Sequence, residues 1–253
     1  MHKSNFSNIF FAKPFISFHL LKVFFVILAF INKRGIFFLF ISKIKTELNN
    51  KLDSDFLIKI ENRKIWCSAS THPTEEILCA KSHLKIKEKY KNILTIIIPR
   101  HIDRIKTIYE ELSKLNLKIV LSSNLGQVDA KTDVILVDSY GESLKFYNIS
   151  KYVFLGKSLA TSLRKDSGQN PIEPARLGCK IFHGPYVSNF MEIYKYLNEL
   201  GVTKEINSSD ELSLSLVEEF KDDKPIKLEI SAKIENYGQN ILNNVTMEIK
   251  KYI

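Results

Sequence analysis

The chain has 253 residues, 45% of them hydrophobic, and carries a net charge of +9 with a pI near 9.2. That length fits one large or two small domains, and the apolar fraction is enough for a core. A basic balance suits nucleic acid, an anionic lipid surface or a merely charged exterior, but no Arg-rich motif or RNP-like aromatic pattern is present, which argues against nucleic acid. Cys67, Cys79 and Cys179 are odd in number and form no C-x-x-C. They read as reduced thiols on the cytosolic side, neither a disulfide frame nor a zinc site. No His/Asp/Glu cluster has metal-ligand spacing, so neither a protein-bound metal nor a cofactor is expected.

Residues 1–44 form a hydrophobic, basic segment unlike the rest. Phe, Ile and Leu crowd Ile9–Phe40, with Lys13, Lys22, Lys33 and Arg34 interspersed. The uninterrupted run Val23–Ile31 is shorter than the ~20 residues that span a bilayer, and no small-residue cleavage site follows. Three readings stand: a basic amphipathic segment on a membrane surface, a marginal anchor, or a remnant whose apolar faces have lost their partners. Residues 45–63 are charged and polar and read as a helix or a linker.

A regular pattern begins at Lys64 and runs to residue 253. Ile65–Ser68 is a predicted strand. Ser70 and Thr71 offer caps for a helix with Glu75 and Glu76 in its first turn, running to about Tyr90. Thr95–Ile98 is a β-branched, buried-type strand ending at Pro99. Asp103–Leu115 is a helix, Lys118–Leu121 and Asp133–Val137 are strands, and Glu142–Asn148 is a short helix. Tyr152–Leu155 is a strand, Pro171–Leu177 a helix closed by Gly178, and Lys180–Phe182 a strand. Asn189–Leu200 is a helix ending at Gly201, and Asp210–Phe220 is another. Pro225–Tyr252 is a last helical stretch, interrupted near Gly238. Strand and helix alternate about six times, which predicts an α/β domain with a doubly wound parallel sheet.

In such sheets ligands collect beyond the C-terminal ends of the strands. Four marked loops fall there: Ser70–His72, Arg100-His101, Asp138–Glu142 and Gly156–Glu173. Arg100 offers a fixed charge and a planar fork for phosphate oxygens; its ordinary reading is a solvated Arg at a helix start. A helix start disfavours a cation unless an anion is present, so Arg100 and His101 are locally odd. Gly141 and the amides after it suit a phosphate, or form an ordinary turn. Asn170-Pro171-Ile172-Glu173 spells a helix N-terminus, with Asn170 as cap, Pro171 at the first position and Glu173 reaching back. Gly168 ahead of it lets backbone approach a ligand, and such an end suits phosphate; its plain alternative is a helix start alone. His72 and His183 read as structural, each satisfying a loop carbonyl.

These motifs in series resemble the nucleotide-sugar half of the 3-deoxy-D-manno-octulosonic acid (Kdo) transferases. The resemblance rests on Ser68-Ala69-Ser70-Thr71-His72, Ile98-Pro99-Arg100-His101, and Asp138-Ser139-Tyr140-Gly141-Glu142. It continues through G-x-S-L at Gly156–Leu159, G-Q-N-P-x-E-P at Gly168–Pro174, and N-F-x-E-I at Asn189–Ile193. It covers about Lys64 to the C-terminus. Gly156-Lys157-Ser158 departs from the usual G-G-S, the segment to Asn170 is longer than usual, and Ser167-Gly168 replaces G-G.

The resemblance implies a GT-B architecture, two Rossmann-like domains across a cleft, with this chain as the C-terminal, CMP-Kdo-binding one. It implies transfer of Kdo from CMP-Kdo to a lipid A precursor, at the cytoplasmic face of the bacterial inner membrane. It places Arg100, His101, Gly141, Glu142, Gly168, Asn170 and Glu173 against the donor, with Asn170 and Glu173 on the ribose-phosphate side. Ser70, Thr71 and Ser158 are further candidates. The acceptor domain and its catalytic base are expected outside this sequence, as for a truncated, frameshifted or split gene. Two alternatives remain open: a non-catalytic nucleotide-binding or interaction module at the membrane, and another GT-B sugar-nucleotide enzyme such as an epimerase.

Overall fold

Seven strands make one parallel sheet: β1 (Lys64–Thr71), β2 (Ile93–Pro99), β3 (Ile119–Leu121), β4 (Val134–Leu136), β5 (Tyr152–Leu155), β6 (Lys180–His183) and β7 (Thr203–Glu205). The computed structural model describes residues 52–160, 162, 167–222 and 228–251. The spatial order is β3-β4-β2-β1-β5-β6-β7. Every residue of β2 and β5 is buried. Strands covered on both faces need no polar alternation, which is why these two appear in the sequence as unbroken apolar runs.

Side chains alternate between two core layers. Cys67, Ala69, Leu94, Ile96, Val153 and Leu155 face one layer; Trp66, Ile93, Ile97, Tyr152 and Phe154 face the other. The first layer is covered by α1 (Ser54–Ile60), α4 (Ser143–Tyr147), α5 (Ile172–Arg176), α6 (Met191–Glu199) and α8 (Leu228–Lys250). The second is covered by α2 (Glu75–Lys89), α3 (Ile105–Ser113) and α7 (Ser209–Asp222). Helices on both faces complete the doubly wound fold. The chain builds outward from β1 through β2, β3 and β4, then returns to place β5 on β1's other side. The reversal of winding therefore lies between β1 and β5, where open sheets of this kind bind ligands.

Several expectations need correction. Of the helix or linker expected over 45–63, the described part holds a helix. Asp53 caps α1 by accepting the Asp55 N–H at 2.9 Å, and α1 buries Phe56 and Ile60, a pair four residues apart on one face. Ser70 and Thr71 do not cap α2, because β1 runs on to Thr71 with a register shift between Ala69 and Thr71. No interruption occurs at Gly238. A mid-helix glycine costs only about 1 kcal/mol relative to alanine, and α8 is held from outside by Arg176–Glu235 (3.0 Å) and by Tyr237 stacked on Tyr196 at 4.1 Å. The expected membrane segment 1–44 lies outside the described residues. Among the described residues, no helix is long and apolar enough to cross a membrane.

Candidate functional site

The strands β4, β2, β1 and β5 are neighbours, so the loops leaving their C-terminal ends stand in a row along one edge of the sheet. At the centre is Glu75, in the first turn of α2 and 1% exposed. Its Oε2 accepts the N–H groups of His72 (3.0 Å) and Lys157 (2.7 Å). Its Oε1 accepts those of Ser158 (3.0 Å) and Leu159 (3.1 Å). One carboxylate thus fastens the loop after β5 to the loop after β1 across the switch point. The fit requires glycine at 156, where a Cβ would come within 2.6 Å of the Ser70 carbonyl oxygen and 2.7 Å of Glu75 Oε2.

Ser158 has an internal role. It is fully buried, its hydroxyl donates to the Leu155 carbonyl at 2.5 Å, and it accepts the Gly184 N–H at 2.9 Å. Thr71 is also fully buried, while Ser70 takes a left-handed φ of 54° at the bulge. His72 Nδ1 lies 3.1 Å from the Ser70 carbonyl oxygen. Burial is the main influence holding its pKa below the ordinary value; the Ser70 carbonyl and Glu75 oppose it, and His101 and Lys157 reinforce it. His183 is likewise a loop-holding residue, with Nδ1 2.7 Å from the Gly184 oxygen and its ring against Tyr194.

Arg100 and His101 are exposed at the end of β2. The Arg100 N–H is bonded to the Thr71 carbonyl at 3.0 Å, and the His101 ring meets His72 edge-on at 5.6 Å. Among the described residues the Arg100 guanidinium has no carboxylate partner. The next cation, Arg104, is spent on Glu76 through two bonds of 2.9 and 3.3 Å. Burial of Glu76 raises its pKa, and Arg104 works against that rise.

On the far side of β2, Gly141 has a φ of +83° with open space around it. Asp138, at the head of that loop, is occupied internally, accepting from Ser122 Oγ (2.7 Å), Ser123 N (3.0 Å) and Ser123 Oγ (2.7 Å). Burial opposes its ionisation, yet the serine bonds prevail and lower its pKa. Glu142 is paired with Lys145 at 2.9 Å. After β5, Gly168 has a φ of +87°, donates to the Lys157 carbonyl at 2.7 Å, and leaves a Cβ only 2.9 Å from Val187 Cα. Asn170 Oδ1 accepts the Ile172 N–H at 3.0 Å from one position outside α5; the N-cap is Pro171 rather than the expected Asn170, because the first helical bond runs from the Ala175 N–H to the Pro171 carbonyl. Glu173 is half-buried on the first turn of α5.

A cavity of about 370 Å³ opens at the other edge of the sheet, bounded by Ile60, Arg63, Lys64, Lys151, Tyr152 and Phe220. The loop row is the stronger site, because uncompensated charge and strand ends converge there. Among the described residues, no group of three His, Cys, Asp or Glu could hold a metal ion.

No family model matches the sequence. The 3-deoxy-D-manno-octulosonic acid transferase of Haemophilus influenzae is 33% identical over 196 residues, 78% of this chain and 44% of that protein. That of Aquifex aeolicus is 27% identical over 179 residues, 71% of this chain and 46% of that protein. The C-terminal CMP-Kdo binding domain of WaaA from Acinetobacter baumannii superposes with a TM-score of 0.57 at 26% identity, covering 72% of this chain and 91% of that one. The chain is similar to the Kdo transferases over one part of their length. It spans about half the length of the curated relatives it matches. Its sheet is the Rossmann-like fold of a GT-B C-terminal domain.

Arg100, His101, Gly141, Gly168 and Asn170, singled out in the sequence, lie in the loops that follow β2, β4 and β5. The sequence reading missed Glu75 as the fastener, since an acidic residue in a first helical turn is ordinary. It registered Lys157 only as a departure from G-G-S.

Proposed function

We propose that this chain is the donor-binding domain of a glycosyltransferase that moves Kdo from CMP-Kdo to a lipid A precursor in lipopolysaccharide synthesis, at the cytoplasmic face of the inner membrane. Arg100, exposed and without a carboxylate partner among the described residues, is the observation that carries this reading. A buried carboxylate nearby would have neutralised it; an anionic ligand supplies the missing charge.

In the proposed reaction a base takes the proton of an acceptor sugar hydroxyl. The hydroxyl oxygen attacks the anomeric carbon of Kdo, and the bond to CMP breaks with its electron pair staying on the phosphate oxygen. The base belongs to the acceptor side and is not assigned within these residues. This domain's part is to hold the donor and stabilise the departing phosphate. Arg100 supplies positive charge, His101 a ring nitrogen, the amides after Gly141 supply N–H groups, Asn170 its side-chain amide, and Glu173 accepts from ribose hydroxyls. Glu142, paired with Lys145, is the further donor-site candidate of the same loop. Calorimetry tests the reading: CMP binds more tightly than AMP or UMP. Equal affinity for CMP and AMP removes the sugar-nucleotide assignment.

A further inference from the structure

The segment that departs from the family's G-G-S pattern puts a lysine where glycine would sit without strain. Lys157 has a φ of +57°, in the left-handed region that side chains other than Gly, Asn and Asp rarely occupy. A solvated lysine gains nothing from such a position. The conformation is enforced from both sides: its N–H is held by Glu75 Oε2 at 2.7 Å and its carbonyl by the Gly168 N–H at 2.7 Å. Non-glycine residues held in this way cluster at ligand-binding positions.

The surroundings say what such a ligand would be. The N–H groups of His72 and Lys157 share one oxygen of Glu75, so the two loops lie side by side. His72 in turn meets His101, and Thr71 holds the Arg100 amide. Elsewhere cations have found carboxylates, as in Arg104–Glu76, Lys118–Asp129 and Lys145–Glu142. Among the described residues Lys157 has none. Glu75 cannot serve, since each of its oxygens already accepts two amides.

We propose that the Lys157 ammonium is a phosphate-binding group of the donor site, acting with Arg100 across the switch point. This rests on the donor-binding reading and adds a cation at a position where the family pattern has glycine. It makes the donor loop of this chain bind phosphate through a side chain, its amides at 157–159 being held by Glu75.

The test uses the full chain with CMP and cytidine as probes, plus the variants Lys157→Gly and Lys157→Arg. Glycine at a left-handed position carries no steric cost, so Lys157→Gly melts at or above the parent temperature. It nevertheless binds CMP about ten-fold more weakly, the lower end for losing a bond to a charged group at a half-exposed site. Cytidine, lacking phosphate, is unaffected, and Lys157→Arg restores most of the CMP affinity. If the parent binds CMP and Lys157→Gly binds it within two-fold, the lysine role is overturned while the donor reading stands. Equal losses for CMP and cytidine, with a lower melting temperature, make Lys157 a loop support and also overturn it. A parent that does not bind CMP removes the donor reading, and this inference with it.

Discussion

Glu75→Gln measures how much the fold depends on a single fastener. Each Glu75 oxygen accepts two amide N–H groups, His72 and Lys157 on one, Ser158 and Leu159 on the other, at 2.7–3.1 Å. Glutamine has one acceptor oxygen and an NH₂ group that only donates. In either orientation one pair of amides faces a donor. A buried donor left without a partner costs about 1–3 kcal/mol, so the pair costs about 2–6 kcal/mol. That is a large part of the roughly 5–15 kcal/mol that holds a domain folded. At roughly 2–4 °C per kcal/mol for a domain of this size, the melting temperature falls by about 5–20 °C. Urea unfolding followed by far-ultraviolet circular dichroism gives the free energy directly. Glu142→Gln is the control, because its pair with Lys145 is a three-residue helical contact worth at most about 1 kcal/mol. A Glu75→Gln cost no larger than that control would refute the fastening role.

Four further outcomes are expected. Arg100→Ala weakens CMP binding by roughly 1.5–3 kcal/mol and leaves cytidine nearly unchanged; an equal loss for both ligands would show that Arg100 acts structurally. Glu173→Gln keeps an acceptor oxygen, so stability stays within about 0.5 kcal/mol while CMP binding weakens and 2′-deoxy-CMP loses its disadvantage. Unchanged CMP affinity there returns Glu173 to a helix-start role. Phe56→Ala costs about 3–5 kcal/mol in urea unfolding, as for any buried Phe, whereas a loss under about 1 kcal/mol would mean α1 is not part of the core. The fourth concerns pH. His83 is buried between Thr95 and Asp133, and burial holds its pKa below the ordinary value while Asp133 pulls the other way. The unfolded chain then takes up a proton that the folded chain resists. Stability is therefore complete above about pH 6.5 and declines as pH falls below it. His72 and His183 are lowered in the same sense. A melting temperature that stays flat from about pH 8 to pH 5 contradicts this.

The elements legible in the sequence are those whose burial is complete. The runs Thr95–Ile98 and Tyr152–Leu155 declare themselves because both faces are covered. β7 escaped notice because it is three residues long with Lys204 and Glu205 exposed, an edge strand without an apolar signature. α1 reads as either helix or linker because only Phe56 and Ile60 of its seven residues are buried. The same limit governs the site. Asn170 is readable at the start of α5 because its bond is local, two residues from its partner, although the N-cap itself falls on Pro171. Glu75 binds amides more than eighty positions away, and nothing near it in the chain announces Lys157, Ser158 or Leu159. Gly156 is visible as a glycine, but the Ser70 carbonyl that demands it is visible only in three dimensions.

The three cysteines make the domain a reporter of its own breathing. All are unbridged and buried, with Cys67 and Cys179 in the layer beneath α4, α5 and α6, and Cys79 in the layer beneath α2 and α7. Burial raises all three thiol pKa values, to about 12 for Cys179. A thiol reagent at neutral pH therefore meets almost no thiolate until a layer opens. Identifying the modified cysteine by mass would time the opening of each face separately, without any introduced label. Ligand bound along the β1–β5 edge would then be read as a slowing at one face, both faces or neither.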